Sequence, residues 1–103
     1  MIAPIERPLF ELGKVAATPA ALKAIEDSGQ EPADFLNRHV HGDWGSVFDE
    51  ERVRNDDAVA TGEKIASVYR TGNGIQIWII TQAADSAGKR ASTTILLPAE
   101  YQK

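Results

Sequence analysis

The chain contains no cysteine. That absence excludes disulfides, thiol nucleophiles and cysteine-ligated zinc together, and it fits a reducing compartment. Long apolar runs are missing as well: the longest stretch, Ile77 to Ile80, is far below the ~20 residues that span a bilayer. The first residues, Met1-Ile2-Ala3-Pro4-Ile5-Glu6-Arg7, lack the basic start and apolar run of a secretory signal. The expectation is therefore a cytoplasmic protein with no membrane contact. No concentrated basic footprint is present either, which argues against duplex nucleic acid as a partner.

What is present fits one small domain. The 103 residues, 43% hydrophobic and 25% charged, suffice for one core and not for two, so residues 1–103 are read as a single unit. The net charge of -4 is uneven. Residues 31–62 carry eight acids against three bases, whereas residues 63–103 carry three acids against five bases. The middle repels phosphate and the C-terminal third tolerates it.

The apolar and turn residues predict helices first and strands afterwards. Leu9 to Val15 alternates loosely, as an extended edge segment does. Thr18-Pro19 is a helix start, with a hydroxyl N-cap and a proline where its missing N–H costs nothing. A first helix over Pro19 to Asp27 places Ala21, Leu22 and Ile25 on one face, and Ser28-Gly29 ends it. Pro32 opens a second helix whose stripe is Phe35, Leu36, His39 and Val40, closing at Gly42. A third helix begins near Asp49, capped by Asp49 or by Ser46 with Asp49. Asp49, Glu50 and Glu51 sit in its favourable first turn, and Thr61-Gly62 stops it. Its apolar content is thin, so one face is solvated.

From Lys64 the period becomes two. Lys64 to Arg70, Gly74 to Gln82 and Ser92 to Leu97 form three strands, the first two joined by Thr71-Gly72-Asn73-Gly74. The nine residues Ala83 to Ala91 form a small polar loop, expected to be mobile. The fold class is α+β: a short N-terminal extended segment, three helices, then a three-stranded antiparallel meander packed on them. In the middle strand Ile75, Ile77 and Ile79 point one way, Trp78 and Ile80 the other. Helices cover one face. The side assigned to Trp78 and Tyr69 then needs the N-terminal segment, a second copy or another protein to cover it.

Both histidines and one of two tryptophans fall in Arg38-His39-Val40-His41-Gly42-Asp43-Trp44-Gly45. At i, i+2 on a helix, His39 and His41 stand about 200° apart and cannot share one ion unless the helix ends at His39. Asp43 is the only near third ligand, so no metal is expected. A helix-terminal role, with a ring meeting the last carbonyls, is the simpler reading. Asp43-Trp44-Gly45 is read as a turn anchored by a buried indole whose N–H seeks a partner, with Gly42 and Gly45 allowing tight reversal. The acids Asp49, Glu50, Glu51, Asp56 and Asp57, interrupted by Arg52 and Arg54, are read as a solvated face rather than a phosphate mimic. Asn55 is a poor helix former and is expected to bond a neighbouring loop. Gly72-Asn73-Gly74 lacks the setting of a phosphate loop, so no nucleotide cofactor is expected.

Several runs carry a resemblance: Leu12-Gly13-Lys14-Val15-Ala16-Ala17-Thr18-Pro19-Ala20-Ala21-Leu22, Arg38-His39-Val40, Gly42-Asp43-Trp44-Gly45, Asn55-Asp56, Tyr69-Arg70, Ile77-Trp78-Ile79-Ile80-Thr81 and Thr93 to Pro98 with Glu100-Tyr101. Through them the chain resembles a family of small bacterial proteins carried on plasmids and other mobile regions, labelled plasmid-related or type I restriction methylase subunit. The resemblance implies an accessory gene and supplies no catalytic residue. A methylase would need a Gly-rich cofactor-binding βα unit and an Asn-Pro-Pro-Tyr-like motif, and the sequence holds neither.

Two functional readings follow. The first is a non-enzymatic protein-binding or regulatory module, contacting an unknown partner or a second copy through Trp78 and Tyr69 or through Asp49 and Glu50. The second rests on architectural similarity to barnase- and RelE-like ribonucleases, which cleave RNA without metal. There His39 or His41 would be base or acid, Arg70, Lys89 or Arg90 the cations, and Tyr69 or Thr93 polar support.

Overall fold

The structure, a computed structural model, describes residues 8–101; Met1 to Arg7, read above for leader signals, lie outside them. Four strands, β1 (Lys14–Ala17), β2 (Ile65–Arg70), β3 (Gln76–Thr81) and β4 (Ser92–Leu96), form one mixed sheet in the order β1-β4-β3-β2. The expected meander is there as β2-β3-β4, antiparallel throughout. It is not the whole sheet. β1 adds a fourth strand parallel to β4, with Lys14 opposite Ser92 and Ala17 opposite Ile95. The extended segment is thus a true strand, and its four residues begin where the loose alternation ends.

Three helices, α1 (Pro19–Asp27), α2 (Pro32–Val40) and α3 (Asp49–Thr61), follow β1. Thr18 caps α1 through a 3.1 Å bond from the Ala21 N–H to its hydroxyl oxygen, which itself donates to Glu100. α2 starts at Pro32 and is closed at its N-terminus by Asp34, whose carboxylate accepts the Glu31 N–H. The cap of α3 differs from expectation: Phe48 is the N-cap residue, and Glu51 accepts its N–H at 3.0 Å, leaving no capping role for Ser46 or Asp49. An acid in the third helical position reaches back for the orphan N–H more readily than one at the first.

α1 and α2 lay Ala21, Ile25 and Phe35 on Tyr69, Ile77, Ile79 and Ile95, all buried. A second cluster, Phe10, Val40, Trp44, Ala58 and Ile65, lies beside it under the start of the chain and α3. This layering follows from period: the strand residues at i, i+2 supply one apolar face, and the helices supply a stripe every three or four residues.

The register corrects one pairing of residues. Tyr69 lies opposite Ile77, whereas Trp78 lies opposite Val68 and Leu96, so Tyr69 and Trp78 occupy opposite faces of the sheet. Tyr69 belongs to the helix-covered core. Trp78 stands on the face away from α1 and α2, the helix-free face in the sense that neither of them covers it. There Tyr101, directly after a 3-10 turn at Pro98–Glu100, meets its ring edge-on at 5.4 Å.

α3 packs against the sheet edge. Asn55, one of its two buried residues, donates from Nδ2 to the Ala66 carbonyl at 2.8 Å and accepts the Ala66 N–H at 3.3 Å. Next to it Val68 gives its N–H to Trp44 and its carbonyl to Ser46. The outer edge of β2 is thereby closed over Ala66 and Val68, a standard remedy against strand addition. The loop after β3 is also organised: Ala84 bridges Arg90, and the Asp85 carboxylate accepts the N–H groups of Ala87 and Lys89.

Candidate functional site

His39 is fully buried, between the two apolar clusters, with the rings of Phe10 and Trp44 edge-on to it at 5.2 and 5.9 Å. Its partners fix its chemistry. Thr93 donates to the Leu12 carbonyl at 2.7 Å, so the 2.7 Å contact between Thr81 and Thr93 has Thr81 as donor. Thr81 must then accept from His39 Nε2 at 2.9 Å, and Nδ1 is left to accept the Ser67 hydroxyl proton at 2.5 Å. The chain of donors runs one way, from Ser67 through the neutral ring to Leu12. Burial, reinforced by the positive charge of Arg90, lowers the His39 pKa to about 4, so the ring is neutral near pH 7.

A serine donating to a histidine is also how a nucleophile is activated. Here neither side chain reaches solvent, and His39 Nε2 is held by a threonine in the core rather than by an orienting carboxylate. The arrangement binds α2 to β2, β3 and β4; it offers a substrate no approach.

His41 lies beyond the last turn of α2, where Nδ1 donates to the Asn37 carbonyl at 2.7 Å, the helix-end role expected of it. Arg38 holds Asp43 through a 2.7 Å bond from Nε and lies over the Tyr69 ring at 4.5 Å. The Arg38 hydrogen bond keeps the Asp43 carboxyl below its ordinary range, and Asp43 in turn raises the Arg38 pKa. The Tyr69 hydroxyl donates to the Asp43 carbonyl at 2.6 Å, and burial pushes its pKa up. Trp44 is the buried anchor anticipated, its Nε1 donating to Asp56 at 2.9 Å. Gly42 and Gly45 both take positive φ around it.

The residues a ribonuclease would need are therefore scattered. Arg70 is exposed on the helix-free face and bonds the Gly74 carbonyl of its own hairpin, with the sheet between it and His39. Lys89 is exposed in the loop after β3. Arg90 and Thr93 do come near His39, yet inside the core. Arg90 is only 7% exposed and gives its N–H groups to the carbonyls of Ala58, Glu63 and Gln82. Its charge offsets the negative end of α3, and burial lowers its pKa. Among the described residues, no group of three His, Asp or Glu is placed to hold a metal, and no helix is long and apolar enough to cross a membrane.

The exposed chemistry lies elsewhere. On the helix-free face, Ala66, Val68, Trp78 and Ile80 floor a groove of about 140 Å³, walled by Val47 and Tyr101. Trp78 Nε1 is buried and has no hydrogen-bond acceptor. Next to Val47 in the chain, Phe48 is 79% exposed, although its backbone is fixed at the cap of α3. Asp49 and Glu50 follow it, both exposed, with Asp49 in a surface ion pair to Arg52 at 2.9 Å. An exposed pair of this kind contributes little stability. Phe48, Ser67, Thr81 and Tyr101 escape a reading of the sequence. Their one signal is position: hydroxyls on the isoleucine face of the strands, and an aromatic ring directly before an acidic helix.

Comparison with protein-family models, with curated proteins and with solved structures finds no match.

Proposed function

We propose that the protein is a non-catalytic binding module, working through the helix-free face of its sheet and the adjoining start of α3. Trp78 lines the groove, and Asp49 and Glu50 are exposed in the first turn of α3; Tyr69 is excluded, being in the core. The observation that carries the reading is Phe48. Leaving a large apolar side chain in water forfeits about 1.5–3 kcal/mol relative to burying it. This one is displayed from an ordered helix cap, directly after Val47, which walls an apolar groove. Rigid aromatic anchors of this sort dominate the energetics of protein interfaces. The same reading accommodates an accessory, mobile-element gene, whose product acts by contacting another protein.

The test is site-specific photo-crosslinking in the native host. A photoreactive phenylalanine analogue at position 48 should give discrete protein adducts that reform with purified components. The same analogue at position 23, on exposed α1, should give none. Absence of adducts from position 48, or cleavage of labelled RNA by the purified chain, would overturn the reading.

A further inference from the structure

The groove and the exposed ring sit on one chain, and neither satisfies the other: Phe48 remains 79% exposed while the hollow beside Val47 stands open. Their sizes correspond. The hollow measures about 140 Å³, and an apolar cavity of roughly 150 Å³ accepts a benzene ring. The groove is flanked by opposite charges as well, Glu51 at the α3 end and Lys64 at the Tyr101 end. Lys64 donates to the Tyr101 hydroxyl at 3.1 Å, and neither Glu51 nor Lys64 has an ion-pair partner among the described residues.

An exposed knob, a hole of matching size and two opposite charges without ion-pair partners, all within a few residues of Val47 or lining the groove it walls, are elements that a two-fold interface can pair. Under such symmetry, whatever residue i offers to residue j is returned. Building on the binding reading above, we infer that the occupant of the groove is a second copy of this chain. Each Phe48 ring enters the other copy's hollow between Val68 and Trp78, and each Glu51 faces the other copy's Lys64. The fixed backbone of Phe48 means that little conformational freedom has to be lost on association.

Sedimentation of the purified chain from micromolar to millimolar concentration tests this. The wild type is expected to pass from monomer to dimer, and Phe48→Ala should raise the dissociation constant roughly thirtyfold or more. Glu51→Lys and Lys64→Glu should each weaken the dimer, and the double variant should restore it. Restoration separates pairing from folding, because Glu51→Lys also removes the α3 cap and the second change cannot replace it. A wild type that stays monomeric overturns the inference, as does a dimer indifferent to these changes. If that monomer still yields adducts with a different protein from position 48, the binding reading survives alone; if it yields none, both fall.

Discussion

Ser67 and His39 meet across the helix–sheet interface at 2.5 Å, the serine hydroxyl donating to Nδ1 of a ring that no solvent reaches. Because the next link passes through Thr81, that threonine accepts from His39 and donates to Thr93 at once. Thr81→Val keeps the shape and removes both roles, leaving the Nε2–H buried without an acceptor. A loss of about 1–3 kcal/mol is expected, since an orphaned buried donor retains its desolvation penalty. Urea unfolding of the variant measures it, and Thr81→Ser should recover most of the loss.

Acid sensitivity follows from the same ring. The His39 pKa falls from 6.5 in the unfolded chain to about 4 in the folded one. Between those values the unfolded chain binds more protons. The contribution is complete above about pH 6.5 and is lost as pH falls toward 4, amounting to about 3 kcal/mol. Asp43 and Glu100 are also held below their ordinary values, by Arg38 and by the Leu97 N–H with Thr18 respectively. Their losses begin lower, as pH falls into the ordinary carboxylate range, and continue below it. Unfolding free energies measured from pH 7 to 4.5 should decline in the wild type and much less in His39→Gln.

Asn55 acts as a strand substitute for Ala66, using both ends of its amide. Asn55→Leu should cost about 1–3 kcal/mol by stranding that N–H and carbonyl, and it should uncover the edge of β2. Strand edges recruit other chains, so the variant should aggregate on heating at temperatures where the wild type remains clear. Light scattering during a thermal ramp reads this directly.

Two glycines of similar φ should respond differently to alanine. At Gly74, with φ of 84°, an added Cβ meets nothing within 4 Å. Only the backbone penalty of about 1 kcal/mol applies there. At Gly45, with φ of 75°, the Cβ would lie 1.9 Å from the Val68 carbonyl oxygen, on the edge that β2 shares with Trp44 and Ser46. Gly45→Ala should unfold the protein or displace the Trp44 turn, whereas Gly74→Ala should fold with a slightly lower melting temperature.

The helices were legible because their signals are local: Thr18-Pro19 and Pro32 open two of them, and Gly29, Gly42 and Gly62 follow their ends with positive φ. The meander was legible from its period of two. β1 was legible only as a loosely extended segment; its place in the sheet was not, because that comes from parallel pairing with β4, some 78 residues later. The relative faces of Tyr69 and Trp78 are not legible, because a strand pattern gives alternation within each strand and no register between strands; one residue of offset exchanges the faces. His39 could be read as helix-terminal or inward. Its partners, 28 and 42 residues away on separate strands, decide between the two.

Burial assigns His39 to architecture, and the Trp78 and Phe48 region is the surface proposed to bind. Nitrogen NMR of the two histidines across pH tests this most directly. The expected result is a His39 ring that stays neutral and protonated at Nε2 from pH 7 to below 5, with its N–H protected from exchange. A His39 ring titrating near its ordinary value, with protons exchanging freely with water, would contradict it and return the histidine pair to the centre of the protein's chemistry.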